Sequence, residues 1–475
     1  MTDSRSPHLV QRRGFLRGAL AAAVFVPLSS SLASCAMGGG GDENSAGEGG
    51  GEKSDKNPFG VGADTPLEVV IFDGGFGDEY AKAHAKLYNT SFPDAEVKLT
   101  STQKIQQTLQ PRFVGGNPPD VVDNSGADQM DINALITDGV IADLSDLLDA
   151  PSMDDPAVKV RDALVPGVEV AGTYNGKLMA LNYVYTVYGM WYNQKLFDDK
   201  GWTVPKTWDD FMSVGDKIKS SGMAPWTYAG KYPYYMAWPL VGLIFNAGGA
   251  ETVEKLQTLA EDAWTADPVV KSAKAFQQVV DNGWVLSGTA GLDHVQSQQQ
   301  WLDGKAAFIP CGSWIENEMK DSIPEGFEMA VAPMPSVGAD DKSPYGSLYA
   351  NAGEPFIVAA KGKNPAGGKE YLRAMLSKEG AQKFAEATNS LTALKDAPLP
   401  SSAGAGLKSV QSVVKAAGDN TTSLFYDVRY PKLWDDLGNA LGQFMTGKIK
   451  ADEFCEQMQK KTDDTRNDPN ITKYD

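Results

Sequence analysis

Cysteine, histidine and positive charge are scarce in this 475-residue chain, and each shortage closes off a kind of chemistry. Three cysteines, Cys35, Cys311 and Cys455, are too few for a disulfide framework or a cysteine zinc site, although one disulfide between the last two stays open. The histidines His84 and His294 lie too far apart in sequence to form a metal or nucleophile motif, and each is expected on a helix surface; no metal and no cofactor is expected. Lys and Arg number 43 against 61 Asp and Glu, a formal net charge of −18. Such a body repels phosphates and anionic headgroups, which excludes nucleic acid as a partner and favours a neutral or cationic ligand. No repeat of fixed period is present, which excludes solenoids and propellers. A dinucleotide fingerprint is lacking too: Gly75-Phe76-Gly77 follows a strand, but Tyr80 stands where the third glycine belongs. Long apolar runs are also missing. Gly18 to Ala33 is too short and too rich in Ala and Ser to span about 30 Å of hydrocarbon.

That stretch has another reading. Arg12-Arg13-Gly14-Phe15-Leu16-Arg17 has the form of a twin-arginine export signal, and Leu32-Ala33-Ser34-Cys35 that of a lipobox. Residues 1–34 are therefore expected to be a signal peptide and Cys35 the lipidated N-terminus, holding the protein extracytoplasmically on the outer face of the bacterial cytoplasmic membrane. Loss of Arg5, Arg12, Arg13, Arg17 and Asp3 with the peptide leaves 39 basic and 60 acidic residues, a net charge of −21. Residues 35–66, with Gly38 to Gly41 and Gly49 to Gly51 among scattered polar residues, are expected to be a disordered linker.

The folded part opens with Leu67 to Phe72, a short apolar run that reads as a buried strand, followed by a glycine turn and a helical pattern over Glu79 to Tyr88. Strand, turn and helix repeat over Ala95 to Val114 and again from Asp120, with a helix expected over Ala127 to Thr137. This alternation predicts an α/β protein, and the length predicts two lobes. Tryptophan is absent from residues 67–190, and all ten fall between Trp191 and Trp434. Trp202, Trp208, Trp264 and Trp284 sit in helical or turn patterns and read as core. Trp226 and Trp238 bracket the Gly- and Pro-broken stretch holding Tyr228 and Tyr235, Trp314 follows Cys311-Gly312-Ser313, and Trp434 follows Tyr430-Pro431; loops there can present rings to a cleft. Flat rings beside amides and carboxylates suit a sugar, whose C–H faces pack on aromatics while its hydroxyls need hydrogen-bond partners. Adjacent acid pairs such as Asp198-Asp199, Asp340-Asp341 and Asp435-Asp436 read as solvated. Glu316, Glu354 and Asp427, beside Trp314, Asn351 and Arg429, are better cleft candidates.

Trp191-Tyr192-Asn193-Gln194-Lys195-Leu196-Phe197 followed by Pro205-Lys206-Thr207-Trp208 resembles the signature of the carbohydrate-binding components of ABC importers of the maltose-binding type. Asn117 to Val122, Asp303 to Phe308 leading into Gly312-Ser313-Trp314, Pro333-Met334-Pro335 and Thr446-Gly447-Lys448 extend the match in order and spacing. Asp73 to Gly77, Tyr183 to Trp191 and Phe425 to Pro431 are similar to the actinobacterial branch that takes up N-acetylglucosamine and N,N′-diacetylchitobiose. The resemblance implies a two-lobed periplasmic-binding-protein-like α/β fold, with a hinge and a ligand cleft between lobe 1 (67–181 and about 333–405) and lobe 2 (182–332 and about 406–475). It implies a monomeric, non-enzymatic protein that captures a small carbohydrate and hands it to permease subunits. The ligand-binding set carried over is Asp73, Phe76, Asp123, Asn124, Tyr185, Trp226, Tyr228, Tyr235, Trp238, Trp314, Glu316, Asn351, Glu354, Arg429 and Trp434. Classical maltose binders carry charged residues where this chain has Gly75-Phe76 and Asn124 to Ala127, a departure from maltose itself. A maltose-type oligosaccharide, a surface-anchored glycoside hydrolase with two carboxylates about 5–10 Å apart, and an adhesive lipoprotein are the competing readings.

Overall fold

The computed structural model describes residues 50–126 and 128–474; the expected signal peptide and Cys35 lie outside the described residues. Its strands are β1 (Leu67–Phe72), β2 (Val97–Thr102), β3 (Val121–Asp123), β4 (Thr173–Tyr174), β5 (Lys177–Leu178), β6 (Leu181–Asn193), β7 (Ala224–Trp226), β8 (Ala306–Gly312), β9 (Met329–Ala332), β10 (Leu348–Val358), β11 (Leu391–Thr392) and β12 (Thr421–Thr422). β4 and β5 form a separate small hairpin. The others run β2-β1-β3-β10-β6-β8-β7, with β9 and β11 added to β6 and β12 to β10.

β1, β2 and β3 are parallel and are joined through the helices Glu79–Ser91 and Ile105–Val114. The alternation of strand and amphipathic helix buries both faces of the sheet, as an α/β fold requires. β6 is the element that turns one body into two lobes. From Leu181 to Tyr188 it pairs antiparallel with β10, and from Tyr188 to Asn193 it pairs with β8 and β9 instead. One continuous strand of 13 residues, about 43 Å long at 3.3 Å per residue, therefore pairs with β10 over its first part and with β8 and β9 over its last, within one sheet.

Several expectations change. Residues 50–66, expected as disordered linker, form a turn structure closed by Gly51 N to Gly60 O at 2.9 Å, with the Asn57 amide bonded both ways to the Val61 backbone. The polar composition hid two anchors, Phe59 and Val61, which are 6% and 2% exposed in the first lobe's core. The buried Arg373, paired with Glu370, also donates to the Lys56 carbonyl. After residue 333, Asn246 donates to the Met334 and Pro335 carbonyls, and Trp208 N bonds Ser336 O, which ties this stretch to the helices Ala237–Gln257 and Trp208–Ser220. The helix expected from Ala127 starts at Ile132, where Asp131 caps it by accepting from Asn133 and Ala134 N–H. His84 is buried, not on the surface, and burial lowers its pKa to about 4; its Nε2 contacts the Gly380 carbonyl at 2.9 Å. Cys311 and Cys455 are both free and buried, which closes the disulfide alternative.

Candidate functional site

Loops at the carboxyl ends of β1 and β3 form one wall, the position where open α/β sheets hold ligands. After β1 the chain turns at Gly74–Gly77, with Gly77 N bonding Gly74 O, which leaves Asp73 exposed and sets Phe76 against Phe384, ring centroids 5.6 Å apart. At the end of β3, Asp123 is 1% exposed; its carboxylate accepts from the Tyr80 hydroxyl at 3.2 Å and from Ser125 Oγ. Burial, with the charge of nearby Glu354 added, pushes the Asp123 carboxyl well above the usual range. Glu354 sits in β10 with φ +55°, a left-handed conformation that is costly for a residue with a Cβ, especially before Pro355. Its own carboxyl is raised by burial. Asn124 is fully buried, and its amide exchanges two 2.9 Å hydrogen bonds with the Met130 backbone, so it shapes the loop rather than facing the cleft.

The opposite wall is aromatic. Side chains alternate along β6, so Thr186 and Tyr188 share one face while Tyr185 and Val187 take the other. The Tyr188 ring lies 4.3 Å from Trp238, 5.5 Å from Trp314 and 5.3 Å from Tyr349. The cluster runs on through Trp238–Trp314 at 5.7 Å, Tyr235–Trp238 at 4.5 Å, Tyr234–Trp238 at 6.1 Å and Tyr234–Trp434 at 5.6 Å. Tyr188, Tyr234, Trp314 and Trp434 keep part of their surface open to solvent. Burial, joined by Tyr349 and Asp427, holds the Tyr188 phenol protonated. Asp427, in the short helix Tyr426–Arg429, has its own pKa pushed up to about 6, chiefly by burial, although its side chain still meets solvent. The walls touch where Asn317 Nδ2 donates to the Gly75 carbonyl at 2.7 Å.

The structure thus sets Asp123 beside Tyr80 and Glu354 on one side, with Phe76 against Phe384 and Asp73 exposed, and gathers Tyr235, Trp238, Trp314 and Trp434 in one ring cluster on the other. It puts others elsewhere. Trp226 is 0% exposed on β7, edge-on to Phe211 and Phe276, so it is a core residue; its strand turns it inward, behind the loop that suggested exposure. Tyr228 is buried, 2% exposed, in the core. The carboxylate of Glu316 accepts from Gly406 N and Leu407 N at 2.8 Å each and is committed to starting the helix Ala405–Ala417. Tyr185, on the other face of β6, lines a crevice of about 360 Å³ with Ala350, Ala352 and Arg429, and borders a second of about 510 Å³ with Leu391 and Val414. Asn351 also lines the first crevice, while its pairing with Thr186 sets it on the Tyr188 face. The Arg429 guanidinium lies over the Phe425 and Tyr474 rings at 5.4 and 5.2 Å. Tyr188 and Asn317 are not singled out by the sequence reading; the period-2 alternation of β6 is the available signal for Tyr188. Among the described residues no three His, Cys, Asp or Glu side chains group as a metal site.

Comparison with known proteins agrees with this geometry. Residues 76–382 match the family model described as bacterial extracellular solute-binding protein. The diacetylchitobiose binding protein NgcE of Streptomyces coelicolor is 35% identical over 466 residues, covering 98% of each chain. The multiple sugar-binding protein of Streptococcus mutans is 22% identical over 67% of this chain and 73% of its own. A solved chitin oligosaccharide binding protein shares the fold with a TM-score of 0.66 at 19% identity, over 86% of this chain and 100% of that one. RafE from Streptococcus pneumoniae, in its apo form, gives 0.68 at 17% identity over 84% and 98%. A cleft between two α/β lobes, one strand continuous through both, and a family match across well over half the chain lead to one conclusion: this chain belongs to the bacterial extracellular solute-binding proteins.

Proposed function

We propose that the protein is the extracytoplasmic binding component of a carbohydrate ABC importer and captures N-acetylglucosamine or N,N′-diacetylchitobiose by closing its lobes around the sugar. The observation that carries this reading is the facing of an aromatic wall by a wall of carboxylates. The rings of Trp314 and Trp434 suit the C–H faces of pyranoses, while Asp73 and Glu354 on the facing wall, with Asp427 beside the rings, supply acceptors for hydroxyl and amide N–H groups. The full-length similarity to a diacetylchitobiose binding protein favours an N-acetyl sugar over maltose. Ligand capture selects the closed form that a permease would recognise. Lipidation at Cys35 and a monomeric state complete the proposal, with 67–181 and the β10-to-405 segment as lobe 1 and 182–347 with 406–475 as lobe 2.

Calorimetric titration of residues 36–475 with N-acetylglucosamine, diacetylchitobiose and maltose in parallel tests it. Saturable binding of an N-acetyl sugar alone is expected. Maltose binding instead would retain the importer role and reject the ligand, and release of monosaccharide from diacetylchitobiose would favour a hydrolase.

A further inference from the structure

The hydrogen bond between Asn317 and Gly75 joins residues 242 positions apart, on opposite lobes, and each end of it is set in advance. On the first lobe, the Gly74–Gly77 turn presents the Gly75 carbonyl outward, and the Phe72 ring fills the space beneath Gly74, where a Cβ would lie 2.1 Å from it. On the second, Asn317 sits in the four-residue helix Ile315–Glu318, whose neighbour Glu316 is fixed by two backbone N–H groups. Trp314 and Asn317 are three residues apart, so a helical turn places both on the same side, facing the cleft. Asn317 is 9% exposed while bonded; in an open form its amide and the carbonyl would both return to water. Because neither partner needs much ordering to meet the other, little entropy offsets the bond.

We propose that the Asn317 amide and the Gly75 carbonyl form a latch between the lobes that operates without ligand, setting the resting population of the closed form and, through it, the affinity for every ligand by one common factor. The proposal rests on closure of the lobes but not on which sugar is bound. Apparent affinity scales with the fraction of protein already in the competent state, so loss of the latch lowers affinity without removing any contact to ligand.

The test begins with no sugar present. Dyes on Val114→Cys and Val295→Cys, both exposed positions on different lobes, report lobe separation by energy transfer, since Cys311 and Cys455 are buried. In the ligand-free protein, Asn317→Ala and the near-isosteric Asn317→Asp are expected to shift the distribution toward the open form. Affinities for N-acetylglucosamine and diacetylchitobiose then fall by one shared factor of about three to ten, mainly through faster dissociation. An unchanged ligand-free distribution in both variants would overturn the latch, as would losses that differ severalfold between the two sugars, which would make Asn317 a ligand contact. Failure of the sugar assignment shows separately, as no binding by the parent protein.

Discussion

The two walls of the cleft are built on different principles. On the first lobe the polar groups are held by one another: Asp123 by Tyr80 and Ser125, Asn124 by Met130, Glu354 by a strained strand. On the second lobe the rings of Tyr188, Trp238, Trp314 and Trp434 are held by packing, at centroid separations of 4.3–6.1 Å along the cluster. Hydrogen bonds fix direction and so discriminate among ligands; stacked rings supply apolar contact that tolerates small differences in pose. Under the proposed function this division would separate selectivity from adhesion, and the tryptophan-free span of residues 67–190 is its trace in the sequence.

The largest expected effect separates rings on the aromatic wall from rings behind it. Trp226→Ala should cost about 3–5 kcal/mol of stability, visible as a large drop in melting temperature with sugar affinity retained by the folded fraction. Trp314→Ala and Trp434→Ala should do the reverse, each weakening sugar binding more than tenfold, about 1.4 kcal/mol or more, with smaller losses in melting temperature. Unchanged affinity in both would remove the aromatic wall from the binding site. Beside the aromatic wall, burial raises the Asp427 carboxyl to about 6, above the usual carboxylate range. A group with a raised folded-state pKa stabilises below its unfolded value and loses that contribution as pH rises through the folded one. Asp427→Asn is therefore expected to raise the melting temperature relative to the parent at pH 8 and to make little difference at pH 4; a benefit independent of pH would rule out this electrostatic origin. The smallest effect is the absence of one. Reductant should leave the melting temperature unchanged, because Cys311 and Cys455 are free.

The alternation of strand and helix made the α/β fold legible, and ring placement led to Trp314 and Trp434, which the structure sets, partly exposed, in one aromatic cluster, because both follow from short stretches of chain. What could not be read depended on distant partners. Glu316 looked like a cleft acid beside Trp314, but its partners are backbone N–H groups 90 and 91 residues later. Trp226 adjoins an irregular loop, yet a three-residue strand turns its ring into the core. Residues 50–66 have a linker's composition, and only the docking of Phe59 and Val61 distinguishes them from one.

A Cβ at Gly404 would lie 2.2 Å from the Glu316 carboxylate, and one at Gly406 would lie 2.9 Å from it. A side chain at either position would have to displace the Glu316 carboxylate from the Gly406 and Leu407 N–H groups that hold it two residues from Trp314. A variant library selected on uptake should return glycine at 404 and 406 as insistently as tryptophan at 314. The reach of the ligand over the sequence is in this way wider than its reach in space, and a lineage changing its diet would find some of its permitted routes closed by a helix start on the far side of the lobe.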